Sequence, residues 1–236
     1  MKKAIALVSG GLDSCVTAAI AEQKYQLALL HINYGQRTET KELEAFHKIA
    51  DFYKVKERLV CNLKWLKEIG GSSLTDEKME IPEQIVNRKS LTANCIPTTY
   101  VPFRNANFLC IAVSWAEVIK ASKVFIGAVA SDAPEYPDTR KNFFTIFNKL
   151  VKYATVPVEI ETPIVGLKKY EVVKLGMKLG APLHLTWSCY KSNKTACGKC
   201  ASCVRRAEAF EKARAVDKLK SQRSKIKTTT QKLKLY

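Results

Sequence analysis

The apolar positions of this chain fall into short runs of two kinds that take turns. KAIALV, LALLHINY, KERLVCNL, KVFIGAVA and VEIETPIV are nearly continuous and read as strands, the first of them buried in the sheet. The stretches between them carry helical spacing. LDSCVTAAIAEQ sets Leu12, Val16, Ala19 and Ile20 on one face, and TETKELEAFHKIADFY, opened by Thr38 or Thr40, turns Leu43, Phe46, Ile49 and Phe52 or Tyr53 inward. ANFLCIAVSWAEVIKA is a strongly apolar helix, FFTIFNKLVKYA another helix, and KKYEVVKLGMKLG an amphipathic one closed by Gly180 and Pro182. Residues 64–100, with Gly70-Gly71-Ser72-Ser73, Pro82 and Pro97, predict a long excursion holding one or two short helices. Strands separated by helices imply parallel pairing, so the expected class is α/β with a doubly wound, mostly parallel sheet. The expected division is an α/β domain over 1–185, a cysteine-bearing element and helix over 186–215, and a tail over 216–236.

Composition narrows the class. With 236 residues and 47% hydrophobic content the chain can bury about 70% of its unfolded surface. No run approaches the ~20 apolar residues that cross a bilayer. The opening MKKAIALVSGG starts like a signal peptide, but its apolar run is too short and passes straight into a patterned turn. The expectation is a soluble cytoplasmic protein with no membrane contact. The formal charge is +17, and residues 205–236 alone carry eleven Lys or Arg against three acids, leaving +9 on the first 204. The basic excess sits in a tail, where a Lys- and Thr-rich run is read as solvated chain; direct nucleic-acid binding by that tail is the competing reading.

The turn after the first strand, Val8-Ser9-Gly10-Gly11-Leu12-Asp13-Ser14, is the first candidate for chemistry. In doubly wound sheets ligands sit beyond the carboxyl ends of the strands. A strand–glycine turn–helix leaves backbone N–H groups unpaired and adds a helix dipole, which suits an anion. Gly10 and Gly11 let the main chain approach an oxygen closely, and Ser9 and Ser14 add hydroxyl donors. No Lys-Ser/Thr pair follows, so this is not a Walker loop, and the three spaced glycines of a dinucleotide fingerprint are missing. Asp13 would repel bare phosphate unless Mg²⁺ or the helix amides offset it, which points to a Mg²⁺–nucleotide. A capped turn with no ligand stays open on these grounds.

The second candidate is TWSCYKSNKTACGKCASCVRR, where Cys189, Cys197, Cys200 and Cys203 crowd together. Four thiolates so spaced close a tetrahedron around Zn²⁺ at about 2.3 Å per bond and leave no vacant position, so one structural zinc per subunit is expected. Gly198 permits the tight knuckle, and Lys191, Lys194, Lys199, Arg205 and Arg206 help offset the negative charge. An iron–sulfur cluster and redox cysteines are the rivals. Cys15, Cys61, Cys95 and Cys110 lie in or beside apolar runs and read as core filler. His31, His47 and His184 have no second histidine at metal spacing and read as structural.

SGGLDS after a first strand resembles the pyrophosphatase loop of enzymes that split ATP into AMP and pyrophosphate to activate an oxygen. GMP synthetase, argininosuccinate synthetase and several tRNA-thiolating enzymes share it. NYGQRTETKELEAFHKIADFY, IPTTYVPFRNANFLCIAVSWAE, YPDTRKNFF, TPIVGLKKYEVVKLG and TWSCY…CGKCASC, in this order, resemble the 7-cyano-7-deazaguanine synthase family, the ligases of queuosine biosynthesis. The resemblance runs from about residue 3 to Phe210 and departs from the family's wording between Gly127 and Tyr136.

The resemblance implies an adenine nucleotide alpha hydrolase-like fold, ATP and Mg²⁺ as cofactors beside structural Zn²⁺, 7-carboxy-7-deazaguanine and ammonia as substrates, and a homodimer. It implies that Val8, Ser9, Gly10, Gly11, Leu12, Asp13, Ser14, Cys15, Val16, Thr17 and Ala18 form the nucleotide segment. Asp13, Lys169 and Arg104 are the expected catalytic residues, Lys169 offsetting charge on the departing phosphates or standing as an ordinary helix lysine. Arg104 and Asn105 are expected at substrate or phosphate, or as helix caps; Tyr34, Gln36 and Arg37 along the nucleotide site; Asp132 and Asp138 near the base edge or the ammonia. Two other readings compete. One is a tRNA-thiolating enzyme, which would need a persulfide cysteine or an iron–sulfur cluster; the other is a non-catalytic zinc-bearing nucleic-acid module.

Overall fold

The computed structural model describes residues 1–83, 96–129, 136–154 and 157–214. The Cys95, Ser131 and Asp132 positions and the tail from 215 onward lie outside the described residues.

Five strands, β1 (Lys3–Leu7), β2 (Gln26–Asn33), β3 (Arg58–Asn62), β4 (Lys123–Phe125) and β5 (Glu159–Glu161), form one sheet in the order β3-β2-β1-β4-β5. Every pairing is parallel, with Lys3 opposite Gln26, Ala4 opposite Lys123 and Lys123 opposite Glu159. β1 and β2 are buried along almost their whole length, as strands covered on both faces must be. The helices are α1 (Leu12–Glu22), α2 (Glu39–Phe52), α3 (Trp65–Ile69), α4 (Arg104–Ile119), α5 (Lys141–Ala154) and α6 (Lys169–Lys178), followed by a helix over 201–214 that we label α7.

The core has two halves divided by the sheet. On one side Cys15 and Ala18 of α1 and Phe46, Ile49 and Ala50 of α2 pack on Ala4, Ala6 and Leu29. On the other, Leu109, Ala112 and Val113 of α4 and Phe144, Phe147 and Val151 of α5 pack on Ile5, Leu30 and Val124. A third cluster joins Leu12 and Val16 of α1 to Val172 and Val173 of α6 and Ala209 and Ala213 of α7. The strand order reverses between β1 and β4, and the crevice of a doubly wound sheet opens at that reversal.

Four expectations shift. The strand expected over KVFIGAVA ends at Phe125, because the Ala128 N–H turns back to the Ile126 carbonyl at 3.2 Å and Gly127 passes under the first turn of α1. A Cβ on Gly127 would stand 3.0 Å from the Asp13 carbonyl carbon and from Thr17 Oγ1. Phe52 faces out at 48% exposure, and Tyr53 takes the inward place beside α1. Cys110 lies exposed on α4 and fills no core, Cys61 is half-buried, and only Cys15 of the described scattered cysteines is fully enclosed. Thr38 opens α2, but its hydroxyl donates to Glu42 at 2.6 Å rather than capping a backbone amide.

Candidate active site and metal centre

The carboxyl ends of β1 and β4 open into a cleft of about 970 Å³. The Ser9–Ser14 turn forms one wall. Ser14 Oγ donates to the Gly11 carbonyl at 2.9 Å, the Gly11 N–H donates to Ser9 Oγ at 3.3 Å, and the two hydroxyls stand 3.2 Å apart. Gly11 is the N-cap of α1 and no side chain caps the helix, so the first-turn amides are left for a ligand. Gly10 has a different task. Its φ is +84°, a Cβ there would lie 2.4 Å from the Glu42 carbonyl oxygen, and its own carbonyl accepts from Trp187 N at 2.9 Å. The glycine lets α2 and the segment at Trp187 close against the turn.

Asp13 and Lys169, 156 residues apart in sequence, meet here: Lys169 Nζ pairs with Asp13 Oδ2. The other carboxylate oxygen, Oδ1, is buried with no hydrogen-bond partner. A free carboxylate oxygen beside uncapped amides fits a hard divalent cation, which takes oxygen ligands.

Of the expected nucleotide segment, Val8, Ser9, Gly11, Leu12, Asp13 and Ser14 line the cleft. Gly10, Cys15, Val16, Thr17 and Ala18 stand behind that wall. Cys15 and Ala18 pack on β1 and α2, Val16 packs toward α6, and Thr17 Oγ1 is buried over Gly127. Burial pushes the Cys15 thiol up to about 12, far from a reactive thiolate.

The far wall is built by α4. Arg104 reaches into the cleft, donates from Nη1 to Tyr34 Oη at 3.0 Å, and lies 5.3 Å from the Tyr34 ring centre and 5.8 Å from that of Phe108. Asn105 also lines the cleft and is tied to Asp138: its N–H donates to Asp138 Oδ2 and its amide to the Asp138 carbonyl, both at 3.0 Å. Asp138 thus caps α4 from below, and burial raises its pKa. Tyr34 lines the cleft as expected, whereas Gln36 and Arg37 turn away from it. Gln36 accepts from Tyr34 N at 2.8 Å and donates to Glu42 at 3.1 Å, and Arg37 donates to the carbonyls of Asp76 and Met79. Each pins its own loop.

The sequence pattern did not single out Glu42, Thr99, Phe108, Trp187 or Tyr190, which also line the cleft. Their one shared signal is position within the family-like segments; no spacing links them, because they arrive from four separate parts of the chain.

The four cysteine sulfurs of Cys189, Cys197, Cys200 and Cys203 lie within 4.8 Å of one another. A tetrahedron with bonds of about 2.3 Å has edges of this order. In a [4Fe–4S] cluster each thiolate binds a different iron and the sulfurs stand farther apart, and in a [2Fe–2S] cluster two thiolates share each iron and the two pairs stand apart. The N–H groups of Lys191 and Cys197 donate to Cys189 Sγ at 3.4 Å, and that of Cys200 to Cys197 Sγ at 3.3 Å. Burial opposes the Cys197 thiolate, yet the backbone N–H groups of Cys200 and Lys199, with the thiols of Cys189 and Cys200, outweigh it and bring its pKa down to about 6. Ile81, Trp187 and Tyr190 close over the sulfurs. Of the basic residues expected to offset this charge, Lys191 pairs with Glu83 at 2.8 Å. Arg206 donates to Thr186 Oγ1 at 2.6 Å, Ser188 Oγ at 3.1 Å and the Leu183 carbonyl at 3.0 Å, and its charge also acts on Cys203. The metal centre and the cleft share a helix: Cys203 sits in α7, and Ser202, Arg205, Arg206, Ala209 and Lys212 of α7 line the cleft.

A family model described as queuosine biosynthesis protein QueC matches residues 3–214. Relatives described as 7-cyano-7-deazaguanine synthase include one from Chloroherpeton thalassium, 55% identical over 215 residues, which cover 89% of this chain and 93% of that protein. Another, from Acidobacterium capsulatum, is 47% identical over 218 residues, covering 92% of this chain and 95% of that one. Among solved structures, an NH3-dependent NAD synthetase from Campylobacter jejuni aligns with a TM-score of 0.45 at 15% identity, over 78% of this chain and 66% of its own. A predicted subunit of a tRNA methyltransferase from Methanocaldococcus jannaschii aligns with a TM-score of 0.48 at 16% identity, over 76% and 74%.

Proposed function

The chain belongs to the QueC family of queuosine biosynthesis proteins, and from that premise we propose that it is an ATP-dependent ligase converting 7-carboxy-7-deazaguanine and ammonia to 7-cyano-7-deazaguanine. A carboxylate is inert to ammonia because its oxygen leaves badly. Attack of that oxygen on the α-phosphorus of ATP forms an acyl adenylate and releases pyrophosphate. Ammonia adds to the acyl carbon, AMP leaves with the oxygen, and the product is an amide. A second adenylation, now on the amide oxygen, lets the nitrogen lose its protons as the C–O bond breaks, giving the nitrile and a second AMP. Two ATP are consumed per nitrile from the acid, and one per nitrile from the amide.

The observation that carries this reading is the Ser9–Ser14 turn with the Asp13–Lys169 pair at the mouth of the β1–β4 crevice. The open amides of α1 and the hydroxyls of Ser9 and Ser14 would hold the triphosphate, and Lys169 would offset charge on departing pyrophosphate. Asp13 Oδ1 would hold Mg²⁺, which when bound supplies positive charge to the phosphate oxygens. The four cysteines are assigned to one Zn²⁺ with a structural task. A cytoplasmic homodimer and the three-part division at 185 and 215 belong to the same reading. The thiolation alternative is disfavoured: among the described residues no cysteine lines the cleft, so none there is placed to carry sulfur.

The test is incubation of the purified protein with 7-carboxy-7-deazaguanine, ATP, Mg²⁺ and ammonium, with products followed by mass spectrometry. Nitrile and AMP are expected, from a colourless protein holding one zinc. A visible absorbance bleached by reductant, with no nitrile formed, would return the sulfur enzyme.

A further inference from the structure

Arg104 holds a positive charge on the cleft wall. Among the described residues no carboxylate lies within ion-pair reach of it. The two acids whose charge acts on it, Glu42 and Asp138, are engaged elsewhere. Glu42 accepts from Thr38 at 2.6 Å on one oxygen and from Gln36 at 3.1 Å on the other, while Asp138 Oδ2 accepts from the Asn105 N–H. Burial raises the pKa of both acids, which disfavours their charged forms. Tyr34, the only hydrogen-bond partner of the guanidinium among the described residues, is kept neutral, its pKa pushed up to about 12 by burial.

The guanidinium is nonetheless fixed. The rings of Tyr34 and Phe108, 5.7 Å apart, flank it, and Nη1 is committed to Tyr34 Oη. That leaves the edge carrying Nε and Nη2. Nε is buried with no partner, and a fork of two parallel N–H groups matches a carboxylate in two-point contact. Arg104 and the phosphate-binding turn stand on opposite walls of one cleft, so a flat acid between them would have its carboxylate gripped from one side and its adenylate donor on the other.

We propose that the Nε–Nη2 edge of Arg104 binds the carboxylate of the acid substrate, with Tyr34 as the positioning residue that turns this edge into the cleft. The inference rests on the ligase reading above and adds to it the group that selects an anionic acceptor. One carboxylate oxygen stays on the fork while the other attacks the α-phosphorus. The neutral amide, which enters the second half of the same reaction, presents only one acceptor oxygen and no charge to the fork.

This asymmetry supplies the test. The wild type, Arg104→Gln, Arg104→Lys and Tyr34→Phe are each assayed with the acid and, separately, with 7-amido-7-deazaguanine, at saturating ATP. Arg104→Gln should raise KM for the acid by about 10- to 100-fold, as expected on losing a charged hydrogen-bonding partner, and should impair the acid at least about tenfold more than the amide. Arg104→Lys keeps the charge but not the fork and should fall between, and Tyr34→Phe should raise KM for the acid while changing kcat less. Zinc content and binding of a non-hydrolysable ATP analogue report on folding and should match the wild type. Equal losses on acid and amide in Arg104→Gln and Arg104→Lys would overturn the proposal, as would loss of ATP-analogue binding in folded, metal-loaded Arg104→Lys, which would assign the arginine to nucleotide. A wild type that converts neither acid nor amide would instead overturn the ligase reading itself.

Discussion

Val8, the last residue before the Ser9–Ser14 turn, is held by His31, whose Nδ1 stands 2.9 Å from the Val8 carbonyl oxygen while Nε2 stands 2.9 Å from Asn33 Oδ1. The ring is 1% exposed, and burial lowers its pKa below the usual 6.5. The folded protein therefore keeps the ring neutral where the unfolded chain would protonate it. The stability tied to that neutral ring is present above about pH 6.5 and is lost as pH falls from there toward the folded pKa. Urea midpoints taken from pH 7.5 to 5.5 should fall more steeply for the wild type than for His31→Gln. Parallel curves would mean that the ring titrates alike in both states. Across the turn, Asp13→Ala should lower AMP formation by more than about 100-fold, the scale of removing one preorganised electrostatic group, with zinc content intact. Near-normal AMP release from that variant would remove Asp13 from the chemistry.

The elements around the cleft divide the two glycines of the turn. Gly10 is bound to its conformation by α2, whose Glu42 carbonyl leaves 2.4 Å for a Cβ, whereas Gly11 has φ −81° and an added Cβ would meet Ser9 Oγ at 3.2 Å and the Trp187 carbonyl oxygen at an ordinary 3.7 Å. Gly10→Ala should cost at least about 2 kcal/mol in urea unfolding. Gly11→Ala should stay within about 1 kcal/mol and act on nucleotide affinity instead. α7 makes a second link, because it begins among the metal ligands and lines the cleft farther along. Cys200→Ser should therefore lose metal and weaken ATP binding together, measured by metal analysis and calorimetry on the same sample. Metal-free protein with unchanged ATP affinity would show that α7 docks without its anchor.

At the scale of the whole molecule, most of the architecture could be read from the sequence because a parallel sheet writes itself as continuous apolar runs. Ala4–Leu7 and Leu27–Asn33 are buried on both faces and needed no partner to be recognised. β4 reads longer than it is because Ile126, Ala128 and Val129 are also apolar and buried; the Ile126 N–H still donates to the Glu161 carbonyl at 3.0 Å, and beyond it the chain turns under α1 and leaves the ladder. The Asp13 turn and the four cysteines were legible because each lies in one short segment. Gln36 and Arg37 follow the ligand-facing end of β2, which points them to the cleft; nothing in their order tells which way a polar side chain turns after a glycine. Glu42, Phe108 and Tyr190 stayed hidden for another reason: the topology alone brings them together. Among the described residues no helix is long and apolar enough to cross a membrane.

The central claim is that the acid's own oxygens leave as part of AMP. It is tested most directly with 7-carboxy-7-deazaguanine carrying ¹⁸O in both carboxylate positions. The account predicts that both AMP molecules formed per nitrile each carry one ¹⁸O, and that pyrophosphate carries none. Label appearing in water or in pyrophosphate, with unlabelled AMP, would contradict it.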